Sequence, residues 1–299
     1  IKYFNISVNV THDFLKAVIA GDKWDLKFRG MTYKTVDAKE LWTKIMDNMY
    51  RNGEPGVLMW DNLIKNNSYY FAPIISTNPC GEAPLAAYDA CDLGSIVVSS
   101  FVSDKGRTKW SDLEQVVSHS VQFLDNVIDV NKYALEKNKH TCQQGRRVGL
   151  GIMGLAEYLF KKGLRYGGEA AIGATSDLCC FIRDCAYTAS VRIARERGCF
   201  PAFNPTLYHS ASFVRKLPAF LRKDIRTNGI RNVTLLAFAP TGTISLIPEI
   251  SPGIEPLFSK AYKRTDRANA VYIHPLFDKA KEEDWFVDSR DLGITDRLE

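Results

Sequence analysis

The sequence has no apolar run near the roughly 18 residues that cross a bilayer, so a membrane-spanning helix is excluded and a soluble chain is expected. It has no internal repeat, low-complexity stretch or linker-like segment. No run of five or more like charges occurs. The 39 Lys+Arg against 34 Asp+Glu leave a formal +5 spread over the chain, which suits solubility and an anionic ligand better than a nucleic-acid surface. Histidine is scarce, and the five present (His12, His119, His140, His209, His274) are too scattered to assign a role or a metal site. The seven cysteines are an odd number without small-domain spacing, which excludes a secreted disulfide framework and points to a reducing, cytoplasmic setting. What remains is ordinary globular composition, 45% hydrophobic and 24% charged. The length allows two domains of roughly 150 residues or one large α/β barrel.

The chain opens Ile1-Lys2-Tyr3, with no initiator Met, inside an alternating stretch from Tyr3 to Val10 that reads as a half-buried strand. A chain that starts in a strand is expected to be a piece of something longer. From Val36 the pattern turns helical: Asp37 caps, Glu40 completes a capping box, and Leu41, Trp42, Ile45, Met46 and Met49 form one stripe that Gly53 ends. A short apolar run covers Val57 to Trp60. Residues 75–92 read as loop and Ser95 to Val102 as a strand. Helices are expected over about Asp112–Leu135, Leu155–Lys162 and Ser176–Arg197, the last two stopped by Gly163 and Gly198. Thr234 to Ala239 reads as an apolar strand running into Pro240-Thr241-Gly242-Thr243, a turn that could open a helix. This interleaving predicts an α/β fold with a largely parallel sheet.

Gly149, Gly151 and Gly154 match the dinucleotide-binding spacing G-x-G-x-x-G. That fingerprint requires a strong apolar strand just before it, and the preceding residues are Gln143, Gln144, Gly145, Arg146 and Arg147. Close helix–strand packing is the better reading.

Asn78-Pro79-Cys80-Gly81-Glu82 carries more chemistry. In an extended segment residues 78, 80 and 82 share a face, so an amide, a thiol and a carboxylate would be presented together. Pro79 and Gly81 between them supply stiffness and room for close approach. A surface turn with an incidental cysteine fits the same residues. Cys91 follows eleven residues after Cys80, near enough to return to one pocket. Cys179, Cys180 and Cys185 lie in a helical pattern without paired ligand spacing and read as packing.

The stretches Asn78–Leu85 and Cys91–Ile96 resemble the active-site finger of the ribonucleotide reductase large chain, most closely the adenosylcobalamin-dependent class. Phe4–Val8, Leu41-Trp42 through Gly53–Gly56, Arg147–Leu155, Ala239–Ser245 and Ser251–Pro256 resemble further segments of that family in order. The resemblance implies the central part of a ten-stranded α/β barrel over residues 1–299. Its finger loop spans about 75–92 and its phosphate-binding segment about 239–246.

It also implies roles. Cys80 would be the cysteine whose thiyl radical takes the 3′ hydrogen of a ribonucleotide. Glu82 would be base on the 3′ hydroxyl, and Asn78 would hold the substrate hydroxyls. Cys91 would be one thiol of the reducing pair. Thr241, Gly242, Thr243, Ile244 and Ser245 would bind the substrate phosphates, which backbone N–H groups at a helix start also suit. The implied cofactor is adenosylcobalamin, with a radical supplied by a di-iron subunit as the alternative. A non-catalytic nucleotide-binding barrel is a further reading. Implied partners are a thioredoxin- or glutaredoxin-type reductant, the remainder of a large chain, and a second copy in a homodimer, with neither nucleic acid nor membrane. No cysteine precedes Cys80 and none follows Cys199, so the second thiol of the pair and a C-terminal regenerating pair would lie outside this sequence.

Overall fold

A computed structural model describes residues 4–263 and 271–298. The chain forms two compact units, one of residues 1–87 with 210–216 and one of residues 88–209 with 217–299. Among the described residues the strands pair two by two.

In the first unit, β1 (Ser7–Val10) leads into α1 (His12–Ala20), whose N-terminus is capped by the Thr11 hydroxyl accepting from Phe14 N. Then come β2 (Lys23–Phe28), β3 (Met31–Asp37), α2 (Ala38–Asn52), β4 (Gly56–Met59) and α3 (Trp60–Asn66). β1 and β4 pair in parallel, Ser7 opposite Gly56 and Val10 opposite Met59. Next to that pair Val10 is buried against Phe14, Ala17 and Ala38, with Trp24, Leu41 and Trp42 packed around them. The expected strand is shorter than the alternation suggests, since Phe4 and Ile6 are exposed. Tyr3, its expected start, lies outside the described residues.

The caps of α2 are as expected: Asp37 accepts from Glu40 N at 3.0 Å and Gly53 closes the helix in a left-handed conformation. The antiparallel β2–β3 hairpin is an element the sequence reading passed over. Its turn is Arg29-Gly30, both at positive φ, a backbone that the two-residue hairpin turn requires.

The second unit is built on β7 (Asp92–Val97) and β8 (Val148–Met153), paired in parallel from Asp92 opposite Val148 to Val97 opposite Met153. The two preceding short strands, β5 (Ser76–Thr77) and β6 (Pro84–Leu85), belong to the first unit. α4 (Trp110–Val130) packs its Leu113, Val117, Val121, Leu124 and Ile128 stripe inward. It stops at Asn131 rather than at Leu135, and α5 (Glu136–Gly145) follows as a separate helix. α6 (Leu155–Phe160) and the 29-residue α7 (Glu169–Arg197) complete the layer.

Two strand expectations need correction. Ser95–Val102 is β7 shifted to Asp92–Val97, then a 3-10 turn at Val98–Phe101. Thr234–Ala239 is not a strand but a run alongside β8, bonded through Val148 N to Thr234 O and Leu150 N to Leu235 O, with one parallel bridge at Leu236.

β8 is buried at every position, although two arginines precede it. Arg146 caps α5 in a left-handed conformation and is paired with Asp125 and Asp129, while Arg147 is paired with Asp89. Paired charges can enter a core that unpaired ones cannot.

Candidate active site

The finger is a closed hairpin, not an extended segment. β5 and β6 pair antiparallel, Ser76 opposite Leu85 and Thr77 opposite Pro84. Asn78 N donates to Ala83 O at 3.1 Å, Gly81 N donates to Asn78 O at 3.1 Å, and Ala83 N donates to the Asn78 side-chain Oδ1 at 3.0 Å. Gly81 sits at φ 89°, a conformation costly for any residue with a Cβ. Asn5 Nδ2 adds an outside tie to Pro79 O at 3.2 Å. Asn78, Cys80 and Glu82 are therefore gathered by a turn, and the shared-face argument from strand alternation does not apply to them.

Within this loop the three side chains differ sharply. Cys80 is exposed at the tip. Asn78 commits its Oδ1 to the loop, leaving its Nδ2 for a ligand. Glu82 is half-buried, and its Oε2 is buried with no hydrogen-bond partner. A buried acceptor without a donor is a costly arrangement that a bound hydroxyl would relieve. Beside the finger lies a polar cleft of about 450 Å³ lined by Asn5, Ser7, Asn9, Ser76, Thr77 and Asn78 among others.

In the second unit, Cys91 is half-buried immediately before β7. Its place is set by a glycine on the neighbouring strand. A Cβ on Gly149 would stand 2.7 Å from Cys91 Sγ and 2.6 Å from Leu93 Cδ2. A Cβ on Gly151 would meet the Ala237 carbonyl oxygen, and Gly154, at φ 77°, starts α6. The dinucleotide-like spacing thus belongs to a buried strand and a helix cap, and close packing is its cause.

The segment from Thr241 to Ser245 is a tight turn. Thr241 is buried at φ 54°, its carbonyl accepts Ser245 N at 3.0 Å and its Oγ1 accepts Gly253 N at 2.7 Å. Ser245 is 1% exposed, whereas Gly242, Thr243 and Ile244 face solvent. The helix expected to open here is only the 3-10 turn Ile244–Leu246. Any anion would therefore be met by the exposed turn amides of Gly242 and Thr243, not by a helix dipole.

One ionisable residue escaped the sequence reading. Asp92, next to Cys91, has its Oδ2 buried without a partner, and burial together with the nearby Asp125 charge pushes its pKa up to about 6. The folded state binds this proton more tightly than the unfolded chain, so stability falls as pH rises from about 4 to about 6. Asp92→Asn is expected to flatten that limb and to raise stability at pH 7 by about 1–2 kcal/mol, allowing for partial solvent exposure. Urea melts between pH 3.5 and 7.5 measure it, and an unchanged pH profile would refute it. The signal available beforehand was slight, a carboxylate opening a strand.

Of the helical cysteines, Cys179 and Cys185 are half-buried and burial raises both thiols, Cys185 to about 11. Cys180 is exposed, contrary to a packing role. Among the described residues no cluster of three or more His, Cys, Asp or Glu is placed to hold a metal ion, and no helix is long and apolar enough to cross a membrane.

A family model for the barrel domain of ribonucleotide reductase matches residues 1–285. The chain belongs to that family. Among curated relatives of this ribonucleotide reductase barrel, a vitamin B12-dependent ribonucleoside-diphosphate reductase of Mycobacterium tuberculosis is 36% identical over 99% of the chain and 41% of the relative. One of the same name from Thermoplasma acidophilum is 35% identical over 97% of the chain and 36% of the relative. A ribonucleoside-diphosphate reductase subunit alpha of Chlamydia muridarum is 28% identical over 82% of the chain and 26% of the relative. The ribonucleotide reductase barrel described here therefore spans less than half the length of the curated relatives it matches.

Proposed function

We propose that this chain carries catalytic groups for the radical reduction of ribonucleotides to deoxyribonucleotides, in the vitamin B12-dependent form. The observation that carries this reading is the finger. An exposed thiol stands in one closed loop with a carboxylate whose buried Oε2 has no donor, as a base awaiting a substrate hydroxyl would. The B12-dependent form is favoured over the iron-radical form by the relatives. Those named for the vitamin are 36% and 35% identical over nearly the whole chain, against 28% over 82% for the subunit alpha.

In this mechanism the Cys80 thiyl takes the 3′ hydrogen, forming S–H as C3′–H breaks and leaving an unpaired electron on C3′. Glu82 accepts the proton of the 3′ hydroxyl, and Asn78 Nδ2 donates to a ribose hydroxyl while its Oδ1 keeps the loop closed. The 2′ hydroxyl leaves as water. Two thiols, Cys91 among them, supply the two electrons and protons and become a disulfide. Cys80 then returns its hydrogen to C3′ and is a thiyl again, and Glu82 returns its proton to the 3′ oxygen. Adenosylcobalamin, when bound, supplies the initial radical, and an exposed tip thiol suits a radical source that comes from outside the chain. The Gly242 and Thr243 amides hold the substrate phosphates. A thioredoxin- or glutaredoxin-type dithiol in the cytoplasm restores the pair.

Cys91→Ser separates the steps. In the whole enzyme it is expected to permit at most about one reduction event per active site and no dithiol-driven turnover, since one thiol cannot close a disulfide. Product counted against enzyme in a rapid-quench assay tests this. Sustained turnover with thioredoxin as reductant would remove Cys91 from the mechanism.

A further inference from the structure

Away from the finger, the second unit buries a group of three polar side chains, Glu157, Ser251 and His274, each 5% exposed or less. Glu157 lies in the first turn of α6, and both its oxygens are used. Oε1 accepts Ser251 N at 2.9 Å and stands 3.1 Å from His274 Nε2, while Oε2 accepts the Ser251 hydroxyl at 2.7 Å. Leu276 N donates to His274 Nδ1 at 3.1 Å, so the ring proton sits on Nε2 and points the imidazole at Glu157 as a donor. Gly154 N closes the group by donating to Ser251 O at 2.9 Å. A carboxylate this deeply buried is tolerable only with its lone pairs satisfied, and here three donors satisfy them.

The residues on either side of Ser251 grip the Thr241–Ser245 turn. Ile250 N donates to Ser245 O at 3.1 Å, and Gly253 N donates to Thr241 Oγ1 at 2.7 Å. Gly253 sits at φ 50°, with space for a Cβ only 3.1 Å from Ala239 O, so the strap lies close against the turn. Ser251 is thus the one residue of the strap bound to α6 through its N–H, its carbonyl and its hydroxyl at once. The turn has no regular helix behind it to fix its amides, and this strap is what stands in that place.

We propose that Glu157 is a positioning residue for the phosphate turn: held by His274, it anchors Ser251, and the strap Ile250–Gly253 transmits that anchor to Thr241 and Ser245. The inference rests on the phosphate-binding reading of residues 241–245. Its consequence is selective. Loosening the anchor displaces the Gly242 and Thr243 amides and costs affinity for the phosphates, while contacts to the rest of the nucleotide persist. A general loss of packing would weaken both alike.

The test measures equilibrium binding of a nucleoside diphosphate and of the matching nucleoside to the whole enzyme. Ser251→Ala, which deletes a single hydroxyl, and Glu157→Gln, which keeps the shape but removes the charge, are compared with Gly242→Pro, which removes a turn amide directly. The anchor predicts that Ser251→Ala and Glu157→Gln each weaken the diphosphate by about tenfold and the nucleoside by less than about twofold. If Gly242→Pro shows that selective loss and the other two do not, the anchor is wrong and the phosphate reading stands. If Gly242→Pro leaves the diphosphate unaffected, the phosphate reading falls and the anchor with it. Equal weakening of both ligands by Ser251→Ala and Glu157→Gln would reduce the group to a packing element and overturn the inference.

Discussion

Cys80→Ser is expected to abolish deoxynucleotide formation in the whole enzyme, to the background of the assay, while leaving stability unchanged to within about 0.5 kcal/mol. The two halves of this expectation have separate physical sources. The thiol lies exposed at the finger tip, and the loop is shaped by Asn78, Pro79, Gly81 and Ala83 through main-chain bonds and the Asn78 Oδ1. Serine therefore fits without a packing change. The chemistry does not carry over, because an O–H bond is much stronger than an S–H bond and an alkoxyl radical lies out of reach of a source that generates a thiyl. Radiolabelled nucleotide turnover and a denaturant melt, run on the same preparation, check both halves. Retained product would sink the assignment of Cys80, and a collapsed melt would show that position 80 has a structural duty the geometry does not reveal.

Asp125→Ala is expected to cost about 3–5 kcal/mol of stability, the largest effect of any single substitution outside the chemistry. Asp125 is fully buried on α4. Its Oδ1 accepts Arg146 Nε at 2.8 Å and Asn232 Nδ2 at 2.9 Å, and its Oδ2 accepts Arg231 Nε at 3.2 Å. Asn232 in turn accepts the Ser190 hydroxyl, tying α7 into the same group. Burial disfavours the Arg146 charge, yet its bonds to Asp129 and Asp125 hold its pKa above the ordinary value. Removing Asp125 leaves the buried Arg146 guanidinium and the half-buried Arg231 guanidinium each short of a partner. The exposed Lys16–Asp13 pair makes the contrast, since Asp13→Ala should cost less than about 0.5 kcal/mol. Urea unfolding of both variants measures the difference, and a cost below about 1 kcal/mol for Asp125→Ala would mean the buried group relaxes or takes up water.

The same buried group explains where the sequence was readable and where it was not. The caps of α2 were legible because Asp37, Glu40 and Gly53 act within a few residues of one another. The stop at Gly198 was legible for the same reason, whereas the helix expected to run to Gly163 ends at Phe160 with Lys161 as its cap. The burial of β8 was not, because the partner of Arg146 lies 21 residues earlier on another helix, and no periodicity encodes an ion pair at that distance. Apolar content misled in the opposite direction at Thr234–Ala239, which runs beside β8 with only Leu235 and Ala237 buried and forms a single bridge rather than a ladder. The β2–β3 hairpin went unread because Arg29-Gly30 lacks the Asn or Asp that usually signals such a turn.

Asn78, Cys80 and Glu82 are readable in the sequence as an amide, a thiol and a carboxylate spaced by Pro79 and Gly81, but strand alternation is not what gathers them. A turn closed by Ala83 gathers them in place of an extended face. The Thr241–Ser245 turn was legible as a break after an apolar run, while the strap that grips it bonds back over five positions at Ile250 and twelve at Gly253. Glu157 and His274 carried no signal, since a polar residue inside a helix and an isolated histidine ordinarily face water.

The glycines of β8 have a consequence for how such chains are recognised. Gly149 and Gly151 yield their side-chain space to Cys91 Sγ and to the Ala237 carbonyl, two groups of this same polypeptide, where in a nucleotide-binding loop the identical spacing yields it to a pyrophosphate. A search pattern registers only that a methyl group is missing. It cannot register whose atoms have moved in, and in this fold the tenant is the protein itself.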